Sequence, residues 1–592
     1  MQDPRTEYTR RLSLWDGVIA AGERSHQTVA NLRLILAGLT LVLLWLVLAG
    51  RARALWLLAP AAVFILLIVI HDRILKRVER SRRARRIYER GMARLDGTWS
   101  GHGADGARFA AAALSAGDLD LFGPGSLFQL LDTARTEAGE DTLAEWLTRG
   151  ADPDEIRARQ AAVNELASMI DFRESLAVTA ADVHVGRTSA LARWAGLDAP
   201  AFSGGTVAAF AALSIVSVAI AAAAAIGWLA PGLLLLWLGL QVGIAMLWSR
   251  RALRTLSAMD DAAADLTVLK VLLERLETQA FASPRLVALR DALPAAGRRA
   301  SQHIADLQRL VTALDSCRNQ IVAPVAIYFQ VPSHLMIAIT RWRATHGLAI
   351  AAWLRVVGEA EAFSALATFA FEHPADTFPE IDAAAPVFEA AALAHPLIHE
   401  SVAVANDVRL GAGAPHVLMI SGSNMSGKST LLRAVGVNVA LAMAGATVRA
   451  ARLRVSPLVI GAAIRIDDSL QSGESRFYAE ILRIRAIVDL TRGPVPVLFL
   501  LDEILAGTNS FDRRIGAEAI VRSLAASGAI GLVTTHDLAL TELVPSFGAP
   551  AANVHFEDKI EDGKMVFDYQ MRSGVVERSN ALALMRAVGL DV

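Results

Sequence analysis

A glycine-rich stretch at residues 417–430, VLMISGSNMSGKST, carries the residues best suited to chemistry. From Gly422 to Ser429 it follows the spacing G-x-x-x-x-G-K-[ST], between an apolar run that predicts a buried strand and one that predicts a helix. Such glycines let backbone N–H groups turn toward nucleotide phosphates, and a helix N-terminus favours negative charge. The stretch therefore predicts a phosphate-binding loop for ATP. The predicted nucleotide-binding residues are Gly422, Ser423, Asn424, Met425, Ser426, Gly427, Lys428, Ser429 and Thr430.

Two further apolar runs predict strands that deliver polar groups to the same place. Residues 495–501 end in Asp502 and Glu503, and residues 530–535 end directly before His536. Parallel α/β sheets place their functional groups at the carboxyl ends of their strands. These three side chains should therefore lie beside the glycine-rich loop.

Together these groups predict hydrolysis of ATP with Mg²⁺ as the cofactor. Asp502 and the hydroxyl of Ser429 are the predicted metal ligands, and Glu503 would orient or polarise the attacking water. Lys428 would add charge on the outer phosphates, and His536 would act near the γ-phosphate. Lys428, Glu503 and His536 are thus the predicted catalytic residues.

The composition places some of the chain in lipid. Of 592 residues 54% are apolar, and the mean hydropathy of +0.40 is high for a soluble protein. The formal charge of -1 gives no general argument for nucleic acid, so any basic surface must be local. Cys317 is the single cysteine, which excludes an internal disulfide and fits a reducing compartment as a core-filling residue.

Uncharged segments predict two transmembrane hairpins. The first joins residues 34–50 to residues 54–70, each at the short end of what spans a bilayer. The second lies in residues 199–249, which contain no charged side chain, and has predicted spans at 206–228 and 232–248. The alternative for both hairpins is a pair of buried helices in a large soluble core.

The basic residues predict the orientation of these hairpins. Residues 73–86 and 250–254 are rich in Lys and Arg, whereas the turns carry only Arg51 and Arg53. Both hairpins should therefore return to the cytoplasm, in a multi-pass protein of the inner (cytoplasmic) membrane. The basic run at 73–86 sets topology and contacts anionic lipid in this interpretation; the alternative is a DNA-binding arm.

The predicted fold class is mixed: an all-α lever or core region with two transmembrane helical hairpins, followed by a C-terminal α/β, ABC-like phosphate-loop ATPase domain. In the lever, Leu266, Leu269, Leu273 and Leu276 recur on one helical face. Residues 324–340 are apolar but interrupted by polar side chains, which predicts buried packing. The predicted segments are a cytoplasmic leader (1–33), a first hairpin (34–70), a first lever segment (71–198), a second hairpin (199–249), a second lever segment (250–370) and the ATPase domain (371–592).

Five motifs carry a resemblance to the MutS family of mismatch-repair ATPases. The stretch GSNMSGKST of this chain resembles the nucleotide loop of that family, and DDSLQSGESRFYAE resembles the acidic and serine-rich segment that follows it in the family. The stretch DEILAGTNSFD is similar to the family's Walker B signature, TTHDLALTEL to its histidine motif and RSGVVERSNALALMRAVGL to its terminal motif. The resemblance implies a homodimer with two composite ATP sites, in which Ser475 reaches into the nucleotide site of the partner subunit.

The resemblance also covers the start of the family's lever domain and the lead-in to its ATPase. The lever residues that resemble the family are Thr133, Gly139, Leu143 and Trp146; the lead-in residues are Ala394, His395, Pro396, Asn406 and Asp407. The family's mismatch-reading domain and connector have no counterpart, because a predicted transmembrane hairpin occupies that place. Double-stranded DNA is therefore expected as a partner without mismatch preference.

Smaller departures lie within the motifs. Ser423 stands where the family usually has proline, residues 504–506 differ within the Walker B signature, and Asp537 follows His536. None of these departures removes a group predicted to contact phosphate or metal.

Two alternatives from other classes stay open. An ABC-type transporter also joins transmembrane helices to a phosphate-loop ATPase, but no LSGGQ-like segment precedes the second strand. Only 74 positions separate Lys428 from Asp502 (502 minus 428), which leaves little room for a transporter's helical subdomain. The other alternative is a membrane scaffold whose ATPase is a conformational switch with a protein partner.

Overall fold

The computed structural model describes residues 3–180, 188–196, 202–230, 232–260, 262–294, 297–423, 425–465, 476–547, 550–561 and 564–576. The chain divides into two compact units, residues 1–99 with 170–184, and residues 100–169 with 185–592.

The elements within the described ranges change from long helices in the first two thirds of the chain to strands and helices in the last third. The helices are α1 (Pro4–Leu48), α2 (Leu58–Leu95), α3 (Leu127–Leu131), α4 (Glu137–Thr148), α5 (Pro153–Ser168), α6 (Ile170–Ala180), α7 (Thr188–Gly196), α8 (Gly204–Ala225), α9 (Gly232–Asp260), α10 (Ala262–Thr278), α11 (Pro284–Asp291), α12 (Ala300–Ser316), α13 (Ala323–Tyr328), α14 (Val331–Glu372), α15 (Lys428–Ala444), α16 (Arg476–Leu490), α17 (Ser510–Ala526) and α18 (Leu538–Thr541). The strands are β1 (Glu380–Ile381), β2 (Val387–Leu393), β3 (Asn406–Gly411), β4 (Val417–Ser421), β5 (Arg452–Val455), β6 (Val459–Ala463), β7 (Val497–Leu501), β8 (Ile530–Thr535), β9 (Ala551–Glu561) and β10 (Lys564–Ser573).

The first unit is a long helical hairpin of α1 and α2, against which α6 packs. Helix α1 runs for 45 residues without a break from Pro4 to Leu48, so it contains most of the predicted leader and most of the predicted first span. Its polar end is fixed by Arg11, which donates to Glu7 at 2.6 Å and to Glu174 at 2.9 Å. A charge-assisted network of this kind orders the base of the hairpin.

The basic run at residues 73–86 is paired with carboxylates of the same hairpin. Arg82 lies 2.7 Å from Glu23, and Arg85 lies 2.7 Å from Asp16. These arginines share their charge with α1, which weakens the interpretation of this run as a DNA-binding arm.

Three helical segments are long and apolar enough to cross a membrane, judged by length and composition among the described residues: Pro4–Leu48, Ala54–Leu95 and Gly204–Ala225. Gly232–Leu247 is a shorter apolar helix. The apolar windows of the first two segments are not buried by protein in the portion of the chain described. The N-terminal apolar helices of the prediction are therefore present.

The helical portion of the second unit is organised around α14, a helix of 42 residues that packs against α4, α5, α7 and α12. Trp146 of α4 meets Phe363 edge-on, with ring centroids 4.7 Å apart. The buried carboxylate of Glu361 accepts hydrogen bonds from the backbone N–H groups of Arg135 and Thr136, both at 3.2 Å. These contacts fix both ends of α4 to the C-terminal third of α14.

Two expectations about helix faces have different outcomes. The four leucines of α10 are all buried, as their helical spacing predicts: Leu266, Leu269, Leu273 and Leu276. Residues 324–340 are buried in part: Ala326, Tyr328 and Gln330 are buried, whereas Val325 and Val331 are exposed apolar side chains. The prediction of buried packing therefore holds for only part of this segment.

The last third of the chain is the predicted C-terminal α/β domain with mixed sheets. In the described residues, one sheet has the order β1-β5-β2-β3 and the other the order β10-β9-β4-β8-β7-β6. In the larger sheet all neighbours pair in parallel except β10 with β9. Strands β4, β7 and β8 are buried along their whole length. Their carboxyl ends therefore share one edge of the sheet.

Candidate functional site

The loop between β4 and α15 turns sharply around residues 422–427. Gly422 has a φ of 152° and Gly427 a φ of 105°, and Gly427 directly precedes the first turn of α15. A Cβ atom on Gly422 would lie 3.1 Å from the carbonyl oxygen of Phe556, so a side chain would be strained there. Met425 also has a positive φ and is exposed. Asn424 lies outside the described residues.

Lys428 begins α15 and folds back over this loop. Its Nζ donates to the carbonyl oxygens of Gly422 at 2.8 Å and Ser423 at 2.7 Å. Burial lowers the pKa of the Lys428 ammonium, while the carboxylates of Glu503 and Asp502 oppose that shift. A buried cation therefore lies at the N-terminus of a helix, where an anion is favoured.

Hydroxyl groups of the loop lack partners in the described structure. The Oγ atoms of Ser423 and Ser426 are buried and make no hydrogen bond there. Buried polar atoms without partners are costly, and their presence beside a buried lysine indicates a site built for a polar ligand. Their donors and the open backbone of the loop suit phosphate oxygens.

Asp502 lies at the centre of the site, between the loop and β8. The Oγ of Ser429 donates to its Oδ2 at 2.5 Å, and the hydroxyl of Thr534 donates to its Oδ1. Strand β8 lies next to β7 in the sheet, so the Thr534 hydroxyl can contact both the Asp502 carboxylate and the backbone N–H of Glu503. The Asp502 carboxylate after β7 and the Ser429 hydroxyl in the first turn of α15 are oxygen ligands of the type that Mg²⁺ prefers.

Glu503 and His536 meet at the same edge. The Oε1 of Glu503 lies 3.5 Å from Nδ1 of His536, and both side chains are partly exposed. Glu503 has a φ of 49°, and its backbone N–H donates to Thr534 at 2.9 Å. A non-glycine residue in this conformation is held by its surroundings, which aims the carboxylate away from the strand.

Some residues that shape the site were not among the predicted site residues. Arg513 donates to the carbonyl oxygens of Leu505, Ala506 and Thr508 at 3.0–3.2 Å. Glu480 is buried and accepts from the backbone N–H of Leu505 at 2.5 Å. Glu480 ends the segment DDSLQSGESRFYAE and Arg513 directly follows DEILAGTNSFD, but their contacts become visible only when α16 and α17 pack beside the chain that follows β7.

A recess of about 750 Å³ adjoins the loop, large enough for a nucleotide-sized molecule. His395 and Tyr569 line it together with Lys428 and Glu503. Burial lowers the pKa of His395 to about 4, and its Nδ1 accepts from the backbone N–H of Leu397, so this imidazole is neutral at pH 7. The recess is therefore lined by a neutral imidazole as well as by the charged groups of Lys428 and Glu503.

Asn406 joins β3 to β10 at the rim of this recess. Its Nδ2 donates to the carbonyl of Tyr569 at 3.0 Å, and its Oδ1 accepts from the N–H of Met571 at 2.7 Å. Tyr569 has a φ of 54°, and its ring lies close enough to Gly427 that a Cβ there would be 3.2 Å away. The lead-in residue Asn406 thus positions a tyrosine beside the loop.

The structure brings together the described residues of the predicted site: the glycine-rich loop, Lys428, Ser429, Asp502, Glu503 and His536 share one edge of one sheet. Ser475 and most of the terminal motif, residues 577–592, lie outside the described residues. The predicted contact of Ser475 with a partner subunit stays a prediction.

A glycine-rich loop, a carboxylate pair and a histidine at one edge of a mainly parallel sheet are typical of α/β nucleotide-binding domains. Residues 418–591 match the family model of MutS domain V. The chain is also 35% identical over 207 residues to the DNA mismatch repair protein MutS of Shouchella clausii (strain KSM-K16), a match that covers 33% of this chain and 23% of that protein. The C-terminal region is thus related to MutS domain V, and the resemblance is confirmed for that region. The chain matches about a quarter of the length of this curated relative.

Proposed function

We propose that this protein binds and hydrolyses ATP with Mg²⁺, as a membrane-anchored, MutS-like ATPase that works as a homodimer. The observation that supports this best is the meeting of Lys428, Asp502 and Glu503 at one sheet edge, within a segment related to MutS domain V. The recess beside them has the size and the charge distribution that a nucleoside triphosphate requires.

The residues of the loop would bind the phosphates. Lys428 would exchange its carbonyl partners for phosphate oxygens, and the hydroxyls of Ser423 and Ser426 would find acceptors that the described protein does not give them. Ser429 and Asp502 would hold Mg²⁺, whose positive charge lowers the barrier to attack on a phosphate.

Glu503 would orient the attacking water, and His536 would hold the Glu503 carboxylate in place. Thr534 would keep Asp502 and the backbone of Glu503 in register, since it contacts both. Positioning and electrostatic stabilisation supply most of the catalysis in phosphoryl transfer, so the proposal requires no covalent step from these groups.

The ligand that controls the ATPase is double-stranded DNA in this proposal, bound through phosphates rather than read for mismatches. The MutS relative is named as a DNA mismatch repair protein, which supports a DNA partner. Because arginines of residues 73–86 pair with carboxylates of α1, the proposal assigns the phosphate contacts to Lys and Arg of the helical portion of the second unit. Ser475 would complete the site of the partner subunit.

The test is nucleotide binding and turnover by the full chain purified in detergent. Lys428→Ala is expected to abolish tight ATP binding, whereas Glu503→Gln should keep binding and lose on the order of 100-fold in turnover. Lys76→Ala and Glu274→Gln, at exposed positions outside the site, are matched controls and should leave both properties unchanged. Equal loss of binding and turnover in Glu503→Gln would contradict the assigned role.

A second measurement addresses the partner. Duplex DNA added to the same preparation is expected to change the rate of ATP hydrolysis by the unmodified chain and not by Glu503→Gln. A rate that does not respond to duplex DNA at low salt would favour the protein-scaffold alternative.

A further inference from the structure

The turn between α12 and α14 exposes an apolar surface. No charged residue lies between Arg318 and Arg341. Ile321 is 86% exposed and Val325 is 60% exposed, although both are large apolar side chains. Val322 and Val331 add to the same surface. We call residues 319–331 the tip. An apolar surface of this kind is unfavourable in water and marks a contact with an apolar partner.

The tip is bonded to the middle of the α8–α9 hairpin. The Oγ of Ser214 on α8 donates to the carbonyl of Phe329 at 2.9 Å, and it lies 2.9 Å from Nε2 of His334. Gln330 is 1% exposed, and its Nε2 donates to Oε1 of Gln241 on α9 at 2.6 Å. The tip therefore lies level with the centre of both apolar helices.

Polar groups at this level are paired with each other. Gln241 donates to the Oγ of Ser217 at 3.1 Å, and Ser333 donates to Oε1 of Gln330 at 2.8 Å. Gln330 takes a left-handed φ of 54°, which breaks the chain between α13 and α14 without exposing its amide. Irregular backbone is tolerated at membrane depth only where its polar groups find such partners.

Two counts along the helices give the same depth. Gln241 precedes Arg250, the first charged residue of α9, by nine positions, and Gln330 precedes Arg341 on α14 by eleven. At about 1.5 Å per residue these are distances of about 14 and 16 Å. Half of a bilayer's hydrocarbon core is about 15 Å. Arg318, which directly precedes the tip, is half exposed and pairs with Asp315 at 3.5 Å.

We propose that the tip is a re-entrant segment, inserted beside α8 and α9 into the acyl chains of the bilayer. The inference rests on the membrane anchoring of the proposed function and adds a contact that no spanning helix supplies. Its occupant is lipid because the exposed apolar side chains continue the exposed surface of α8, on which Ile215 is 68% exposed. Helix α14 then links the acyl layer directly to the α/β domain, since it runs unbroken to Glu372.

The experiment uses fluorescent labels in the full chain. Cys317 is replaced by serine, and single cysteines at Ile321 or Val325 are labelled with an environment-sensitive fluorophore. The proteins are reconstituted into phosphatidylcholine–phosphatidylglycerol vesicles with or without lipids that carry a quencher on the acyl chain. Ile215→Cys on α8 is the positive reference. Leu348→Cys is the matched control, since this residue is 92% exposed on α14 beyond Arg341.

Labels at the tip are expected to be quenched by the acyl-chain quencher to within about twofold of the label at Ile215, and to be protected from aqueous iodide. The label at Leu348 should show the opposite pattern. Quenching of the tip labels by iodide, with Ile215 still quenched from the lipid, would overturn the inference and leave the anchoring intact.

Two other outcomes would also overturn it. Loss of acyl-chain quenching at Ile215 as well would reject the membrane anchoring itself, and the tip with it. Tip labels that are shielded from both quenchers, together with a disulfide between copies of Ile321→Cys, would assign the surface to a second copy of this chain. ATP turnover of each labelled protein shows that the cysteine variants are folded.

Discussion

Helices α8 and α15 are both apolar and similar in length, yet α15 is almost entirely buried and α8 is mostly not. In α15 almost every residue is buried, and Gly436 approaches Leu119 so closely that a Cβ would lie 2.5 Å from its side chain. In α8 only Phe210 and Ser217 are buried among the described residues. Composition alone therefore does not tell which solvent an apolar helix faces.

The difference lies in what surrounds each helix. Helix α15 is enclosed by sheet strands and by α4 and α5, so its side chains must fit a fixed space. Helix α8 presents apolar side chains outward and keeps its few polar groups, such as Ser217, for contacts with α9 and the tip. Protein packing fixes the geometry of the candidate site, whereas a lipid environment would leave the outer face of α8 free of specific contacts.

The largest effect expected from this comparison is all-or-none labelling in intact cells. With Cys317 replaced, a cysteine at Ala49 in the turn of the first hairpin should react with a membrane-impermeant maleimide, because positive charges keep the other end inside. A cysteine at Ser527 in the α/β domain should react only after permeabilisation. Both positions are exposed, so their reactivity reports the side of the membrane.

Ser115 cannot serve as a second cytoplasmic position. It is buried and donates to the carbonyl of Ile460 at 2.8 Å, so a cysteine there would be protected on either side of the membrane. Labelling of Ser527→Cys in intact cells would reject the topology, and with it the membrane half of the comparison.

A smaller effect is expected from adding one methyl group in each region. A Cβ on Gly358 of α14 would lie 2.6 Å from the carbonyl oxygen of Ala138, so Gly358→Ala forces α4 and α14 apart. We expect a loss of about 1–3 kcal/mol in the free energy of unfolding. Gly239→Ala on α9 should be neutral or slightly stabilising, since nothing lies within 4 Å of the added atom.

Thermal unfolding in the same detergent compares the stability of Gly358→Ala and Gly239→Ala with that of the unmodified chain. A destabilised Gly239→Ala would show that α9 packs against protein, either a second copy or a segment of the chain beyond the described residues. An unchanged Gly358→Ala would mean that α4 and α14 can separate at little cost.

Local patterns predict the strands of the α/β domain well. β8 spans the residues of its apolar run, Ile530–Thr535, and β7 starts at Val497, two residues inside the predicted 495–501. A short apolar run that ends in a glycine or a charged residue predicts a buried strand, because a buried helix needs a longer run. Lys428 and Asp502 lie near each other because β4 and β7 are parallel strands of one sheet, whose carboxyl ends share one edge.

Contacts between distant segments could not be predicted. Thr534 appears in the sequence as one more strand residue, and its bond to Asp502 depends on β8 lying between β4 and β7. The bond between Ser214 and Phe329 joins segments 115 positions apart, and no spacing records it. The sequence does not predict the unbroken α1, because a change from polar to apolar residues at position 33 does not by itself mark the end of a helix.

The smallest effect is expected in DNA recognition. Matched and mismatched duplexes should bind with affinities within about tenfold of each other, equivalent to less than about 1.4 kcal/mol, because the segments resembling MutS lie in the lever and the ATPase. Binding should fall steeply as salt rises, since each neutralised phosphate releases counterions. A mismatch reader would instead gain affinity from an easily deformed base step.

Titration of both duplexes at two salt concentrations, with and without ATP, measures the preference. Lys428→Ala is the matched control for ATP dependence, because it should keep the salt response while losing any effect of the nucleotide. A mismatch preference above about tenfold that persists at the higher salt concentration would contradict binding through phosphates alone. Such a preference would place a base-reading element on the helical region, whose contacts would then be as specific as those of the α/β domain.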